Sequence, residues 1–570
     1  MQSPALHNHV AMQHVSRPLA VVLLMVAPVV VSGQSVHFVN VTVVPMDREA
    51  TVPDQTVVTR GERIVSVGPK DAAPVTDDAI VIDGAGLYLV PGLTDAHVHL
   101  PGTIFGPGRA EFGDAPLYLA HGVTTVFNLG GTAEHLEWRR RVMAGELLGP
   151  TIYTSPPFFN EPRVKSPDEV DHEISATVAA GYDLLKYREI VGPNPAPTTV
   201  GLSQPAYERM NDAARRARLP LVGHAPVNLG LDVMLQARQQ SLAHVGELNR
   251  LYFNPVVRYR WSLIAGGAGL AIVLTIALAS AVMALTRRFR HLPRRTSAAR
   301  QPSVILAVAG LVAAASYVCF SPGGPLFGST VLRIVFTAAC LAIAASTIVL
   351  AWRRSLVVIP AAAVAYWAVV WMPIAWRSSL HGMEDVARRL KSAGTVVQST
   401  LIVYDTFSAA RRPAIAADPA IDYLQPSTRN RWRRLPQYVT GIQALNRYPE
   451  FTRELTAALH RAGVPLMAGT DALGAPLMTP GSSLHRELEL LHEAGLTPYE
   501  TLRAATVVPA AFLGKAEEFG TIGVGKRADL LLVTRNPLED LGSLREPVGV
   551  MVRGRWLSRD RLQEMLSALR

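Results

Sequence analysis

The chain has 570 residues, of which 49% are hydrophobic and 18% charged. That is less charge than the roughly 25% of an ordinary soluble chain, which excludes disorder and argues against a purely soluble protein. Basic residues outnumber acidic ones 55 to 45, a net +10, but many arginines flank apolar runs. The excess therefore reads as membrane topology, with no nucleic acid expected as partner. The two cysteines, Cys319 and Cys340, lie in or beside such runs and exclude a disulfide scaffold or a cysteine metal site.

In chain order, residues 1–33 carry Arg17, an apolar run over 18–31 and then Ser32-Gly33, the pattern of a secretory signal or an uncleaved N-terminal anchor. Residues 34–90 alternate with period two (VHFVNVTVV, RIVSVG, AIVIDGAGLYLV) between Gly, Pro and Asp, which predicts the first part of a small β domain. From 91 to 261, apolar strands (TTVFNLG, DLLKY, LPLVGHA) alternate with helical stretches such as SQPAYERMNDAARRAR. That rhythm predicts βα units around a parallel sheet. Over 262–376 stand four apolar segments, 263–285, 303–320, 334–352 and 356–376, each long enough for a hydrocarbon core of about 30 Å.

Arg287, Arg288, Arg290, Arg294, Arg295 and Arg300 follow the first of these segments, and Arg353 and Arg354 follow the third. The positive-inside bias places both loops in the cytoplasm and the flanking halves outside. Residues 377–515 resume the βα rhythm, with TVVQSTLIVYDTF as a strand, FTRELTAALHRAG as a helix and VPLMAGTDA as a strand. Residues 516–570 return to short strands that complete the small domain. The expected fold class is α/β: a (β/α)8 TIM barrel, a small β-sandwich domain from the N- and C-terminal segments, and an inserted four-helix transmembrane segment. The expected location is the inner (cytoplasmic) membrane, multi-pass, with the lipid bilayer as partner and the barrel facing the periplasm or exterior.

His97 and His99 sit in LVPGLTDAHVH at the end of the first barrel strand, where residues i and i+2 face the same way and present two imidazoles to one ion. Lys186 ends DLLKY, His224 ends LPLVGHA, His244 ends SLAHVG and Asp471 follows VPLMAGT. Singly, each has an ordinary reading: a snorkelling lysine, packed histidines, an aspartate capping a helix. Jointly, at successive strand ends, they point to the rim where barrel active sites lie.

These residues resemble the metal-dependent amidohydrolase superfamily, in particular its imidazolonepropionase-like and prolidase-like branch. PGLTDAHVH, GYDLLKY, GHA followed by AHVGE, MAGTDA and the tail GTIGVGKRADLLLV carry the likeness. The resemblance implies two divalent metal ions, with zinc expected. His97, His99 and Asp471 would hold one ion and His224 and His244 the other, bridged by Lys186 as the carbamate it forms with carbon dioxide. It further implies Asp471 as catalytic general base and then acid, with a metal-bridged hydroxide cleaving an amide or other C–N bond. A small-molecule or dipeptide substrate is expected, a cyclic amide or Xaa-Pro dipeptide.

The alternatives are a lactone or phosphoester hydrolase with the same site, and a transport or sensing protein whose barrel does not turn over. Tyr404, Asp405, Arg163 and the segment 249–254 are guesses at pocket lining. Gly520 to Lys526 has phosphate-loop spacing, but Arg527 stands where Ser or Thr belongs, so no nucleotide is expected.

Overall fold

The computed structural model describes residues 34–69, 79–102, 108–190, 199–253, 380–406, 408, 412–438 and 448–570. Its first strands are β1 (Ser35–Val43), β2 (Val52–Arg60), β3 (Arg63–Pro69), β4 (Ile80–Asp83) and β5 (Tyr88–Pro91). The next eight strands are β6 (Leu93–Val98), β7 (Val123–Asn128), β8 (Thr151–Thr154), β9 (Leu185–Tyr187), β10 (Leu221–Gly223), β11 (Ser241–Ala243), β12 (Val396–Gln398) and β13 (Leu466–Met467). The last three are β14 (Leu530–Val533), β15 (Gly549–Val552) and β16 (Arg555–Ser558).

Strands β6-β7-β8 and β9 through β13 form two parallel sheets. Parallel bridges between Phe159 and Tyr187 and between Val98 and Ala472 join them on both sides. The eight strands therefore close into one ring. Phe127, Val222, Ala243 and Met467 fill its interior, all fully buried. A closed ring leaves no edge, and all its strand ends reach one rim.

The surrounding helices follow from local chemistry. In Pro167–Ala180, the Ser166 side chain accepts from Glu169 N at 3.2 Å, Pro167 opens the first turn, and Gly181 at φ 77° ends it. In Gln204–Arg216, Ala206, Tyr207, Met210, Ala213 and Ala214 form one buried stripe against the barrel. Truncating Met210 to Ala would cost about 2–5 kcal/mol.

The remaining strands form a single eight-stranded sheet ordered β16-β15-β14-β5-β1-β2-β3, with β4 also on β1. Strands β14 and β5 pair antiparallel, knitting the two chain ends together. The sheet folds back on itself, since the Phe38 ring on β1 meets the Trp556 ring on β16 at 5.3 Å although three strands stand between them in the hydrogen-bonded order. Arg527 ties this sheet to the barrel, donating to Asp529, to Tyr153 OH and to Thr125 Oγ1.

The four-helix transmembrane insertion, the multi-pass inner-membrane location and the bilayer as partner are corrected by the fold. Among the described residues no helix is long and apolar enough to cross a membrane. The described helices are too short and too polar for it: Leu380–Ala393 and Tyr448–Arg461, for example, have 14 residues, about 21 Å at 1.5 Å per residue, and each carries a charged face. The four apolar runs over 262–376 and the signal-like residues 1–33 lie outside the described residues.

The run TVVQSTLIVYDTF is also shorter as a strand than expected. It stops at Gln398, Thr400 adopts φ 43°, and Leu401–Asp405 turns helical.

Candidate metal centre

His97 lies on β6 and His99 just beyond it, on the rim. Asp95, two residues earlier, is wholly buried and staples β6 to the segment after β13. It accepts from Thr470 N at 3.0 Å, Thr470 Oγ1 at 2.6 Å and His97 N at 3.2 Å. Burial pushes its carboxyl up to about 7. A β-carbon on Gly469 would stand 2.7 Å from His97 Cβ, so only glycine lets the two segments approach this closely.

Asp471 follows at φ 60°, a left-handed conformation that costs a non-glycine residue energy. Its N–H donates to His97 O at 2.8 Å, and its Oδ1 stands 3.0 Å from His99 Nε2 and 3.6 Å from His97 Nε2. One ligand atom from each of His97, His99 and Asp471 lies within 4.8 Å of the others.

The other expected residues converge on the same rim. His224 follows β10, and His244 follows β11 at φ 64°. The His244 ring centre is 4.5 Å from that of His97 and 4.9 Å from that of His224. Lys186, on β9, is an electrostatic neighbour of His97, His224, His244 and Asp471. Its Nζ is buried without a hydrogen-bond partner.

Burial lowers the basicity of His97 and His224 well below the ordinary imidazole range and that of His244 to about 3, with Lys186 adding to the effect at all three. Lys186 itself is pushed down to about 7 by burial, against the pull of Asp471. Burial works to raise Asp471, but hydrogen bonding and charge from His99 prevail and hold it below the usual carboxylate value. The site therefore presents neutral imidazoles and an anionic carboxylate near neutral pH, a donor set suited to a divalent cation.

Three second nitrogens are anchored. Gln398 donates from Nε2 to Ala96 O at 2.7 Å, which fixes its amide, so its Oε1 accepts from His97 Nδ1 at 2.9 Å. His97 then carries its proton on Nδ1 and aims a lone pair from Nε2, an atom buried without a hydrogen-bond partner. His244 Nδ1 meets Thr400 Oγ1 at 2.9 Å, and His224 Nδ1 meets Glu189 O at 3.1 Å. Gln398 and Thr400 were missed by sequence reasoning. The available signal was the polar triplet Gln-Ser-Thr ending an apolar strand.

The guessed lining residues do less. Asp405 pairs with Arg486 at 3.2 Å, and Arg163 pairs with Glu173. Tyr404 packs against Tyr448, with ring centres 5.2 Å apart. Residues 249–253 form a π-helical turn, and Asn254 lies outside the described residues.

The chain matches the amidohydrolase family over residues 88–252 and 415–557, more than half its length. It is 29% identical over 159 residues to an adenine deaminase of Rubrobacter xylanophilus, covering 26% of either chain. It is 48% identical over 60 residues to an imidazolonepropionase of Arthrobacter sp., covering 10% of this chain and 14% of that one. The chain thus spans about a quarter or less of the length of these curated relatives. Among solved structures, a Xaa-Pro dipeptidase with bound methionine in the active site aligns over 92% of this chain and 100% of that one. Its TM-score is 0.55 at 14% identity, a likeness of fold.

Proposed function

The chain belongs to the amidohydrolase family, a hydrolase of carbon–nitrogen bonds, and from that premise we propose that it cleaves an amide or related C–N bond of a small substrate with two divalent ions, zinc foremost. The observation that carries this reading is the grouping of His97, His99 and Asp471 donors within 4.8 Å. In this reading they would hold one ion, His224 and His244 would hold the second, and Lys186 would contribute as its carbamate. The orphaned Nζ of Lys186 supports that last role. An ammonium has three donors and no acceptor, whereas an amine with basicity near 7 can add to carbon dioxide, forming an N–C bond and releasing one proton.

Bound divalent ions supply Lewis acidity, lowering the pKa of water and polarising a carbonyl. The chain's own part is orientation and proton transfer. Gln398 and Thr400 fix the rings of His97 and His244. The Asp471 carboxylate takes the proton of the attacking water and returns it to the leaving nitrogen. Xaa-Pro dipeptides and cyclic amides are the substrate classes to try first.

The test is metal analysis with intact mass. We expect zinc to co-purify, activity to vanish on chelation and return with zinc, and Lys186 to carry the mass of one carbon dioxide. Full turnover by Asp471→Asn or Lys186→Ala would overturn the mechanism.

A further inference from the structure

We infer that Arg188 and Glu247 are specificity residues that hold the two charged ends of an unblocked dipeptide on either side of the metal ligands. This rests on the hydrolytic reading above and names the substrate class for that site.

Arg188 lies two residues beyond Lys186, just past the end of β9, and the alternation of the extended chain carries both side chains to the barrel's inner side, Arg188 one step nearer the rim. The residue is 5% exposed. Thr199 Oγ1 accepts from its Nη1 at 2.5 Å, and its guanidinium stands 5.2 Å over the ring of Phe158. That ring in turn lies 6.3 Å from the ring of His99. Held by these contacts, the cation acts electrostatically on Lys186, His224 and His244, and Asp471 acts on it. A planar cation held beside the candidate metal ligands suits recognition of a carboxylate.

Glu247 supplies the opposite charge. Its N–H donates to His244 O at 2.9 Å, which places it one turn beyond a metal-ligand candidate. Oε1 faces Arg250 at 3.8 Å, too far for a hydrogen bond. Oε2 is buried with no hydrogen-bond partner. The carboxylate acts electrostatically on Lys186 and Tyr404, so it too borders the ligand cluster. A buried acceptor left unpaired in the protein costs free energy unless something supplies a donor, and an ammonium group supplies three.

The chemistry of a dipeptide fits this spacing of charges. Its ammonium nitrogen is two bonds from the carbonyl carbon that is attacked, and its carboxylate carbon is two bonds from the nitrogen that leaves. Both charges therefore fall immediately beside the reacting atoms. Charge assigns the ends: the cation of Arg188, on which Asp471 acts electrostatically, takes the carboxylate. Glu247 then takes the ammonium.

The experiment compares a mixed set of free dipeptides with the same set N-acetylated and C-amidated, using zinc-loaded full-length protein, by kcat/KM and by calorimetric binding. Wild type is expected to favour free dipeptides about 100-fold over either blocked set, the scale of a lost charged contact. In Arg188→Met the preference over the amides disappears, because turnover of free dipeptides falls about 100-fold further than that of the amides. In Glu247→Gln the preference over the acetylated set disappears in the same way. Equal binding and turnover of all three sets by wild type would overturn the inference, as would variants that depress every set alike. So would failure to bind or cleave free dipeptides; cleavage of a cyclic amide by the same preparation would then leave the hydrolytic reading standing, and cleavage of no C–N substrate would defeat both.

Discussion

Two buried cations lie on the barrel wall and are treated in opposite ways. Below the rim, Arg527 meets Asp529 at 2.5 Å, Thr125 Oγ1 at 2.7 Å and Tyr153 OH at 3.2 Å, with the Phe519 ring 4.8 Å from its guanidinium carbon. At the rim, the Lys186 amine is as deeply buried yet has no hydrogen-bond partner. Burial opposes the charge of both. At Arg527 the surroundings more than offset it and the basicity rises, whereas at Lys186 burial wins. A satisfied buried charge serves the fold. An orphaned one, among neutral imidazoles, marks where the protein awaits something it does not itself supply.

This contrast breaks most sharply with a pair of aspartates. Asp471→Asn should lower kcat by about 10²–10⁴-fold, the usual weight of a general base, with the melting temperature unchanged. Asp529→Ala strands Arg527 and should cost about 3–5 kcal/mol of stability; thermal melts and kinetics on the folded fraction together check both. Next in size, Lys186→Met should abolish activity yet stabilise the metal-free protein by about 1–3 kcal/mol, because an unpaired buried polar group is removed. The same change at Arg527 should destabilise, and denaturant titration of the two variants tests this opposition of sign.

A smaller effect belongs to Gln398. Replacing it by Leu frees the His97 ring and should weaken zinc affinity about 10–100-fold, measured by competition with a chelating dye, while Gln398→Glu retains an acceptor for Nδ1.

The smallest effect concerns pH. Glu487 is buried beneath the turn that presents Thr400, accepting from Ser399 Oγ and from Ile402 N at 2.8 Å. Burial raises its carboxyl from 4.5 to about 7. Between those values the folded state holds the extra proton, so its contribution is full below about pH 4.5 and is lost as pH rises through 7. Glu487→Gln should therefore flatten the fall of melting temperature between pH 5 and 8.

The candidate ligand residues were legible because each ends an apolar run, and a strand end in a parallel barrel has only one destination. His97, Lys186, His224, His244 and Asp471 all arrive there from segments whose pattern predicts strands. Gln398 and Thr400 were illegible because a residue that orients a ligand carries no spacing signature; its role exists only once β12 lies beside β11 and β6 approaches. Arg188 was hidden for a related reason, since an arginine after a lysine strand reads as solvated until its burial is known. The membrane reading rested on hydropathy alone, and an apolar run of sufficient length permits a span without requiring one; the runs it rested on lie outside the described residues.

The seam where β6 meets the segment after β13 has a consequence for how the protein comes into being. Asp95 and Thr470, 375 positions apart, join the first strand of the ring to the last, and His97, His99 and Asp471 straddle that join. A nascent or partly unravelled chain holds two imidazoles on one edge and their carboxylate on another. The candidate metal-binding group of His97, His99 and Asp471 is thus assembled only when the circle is completed.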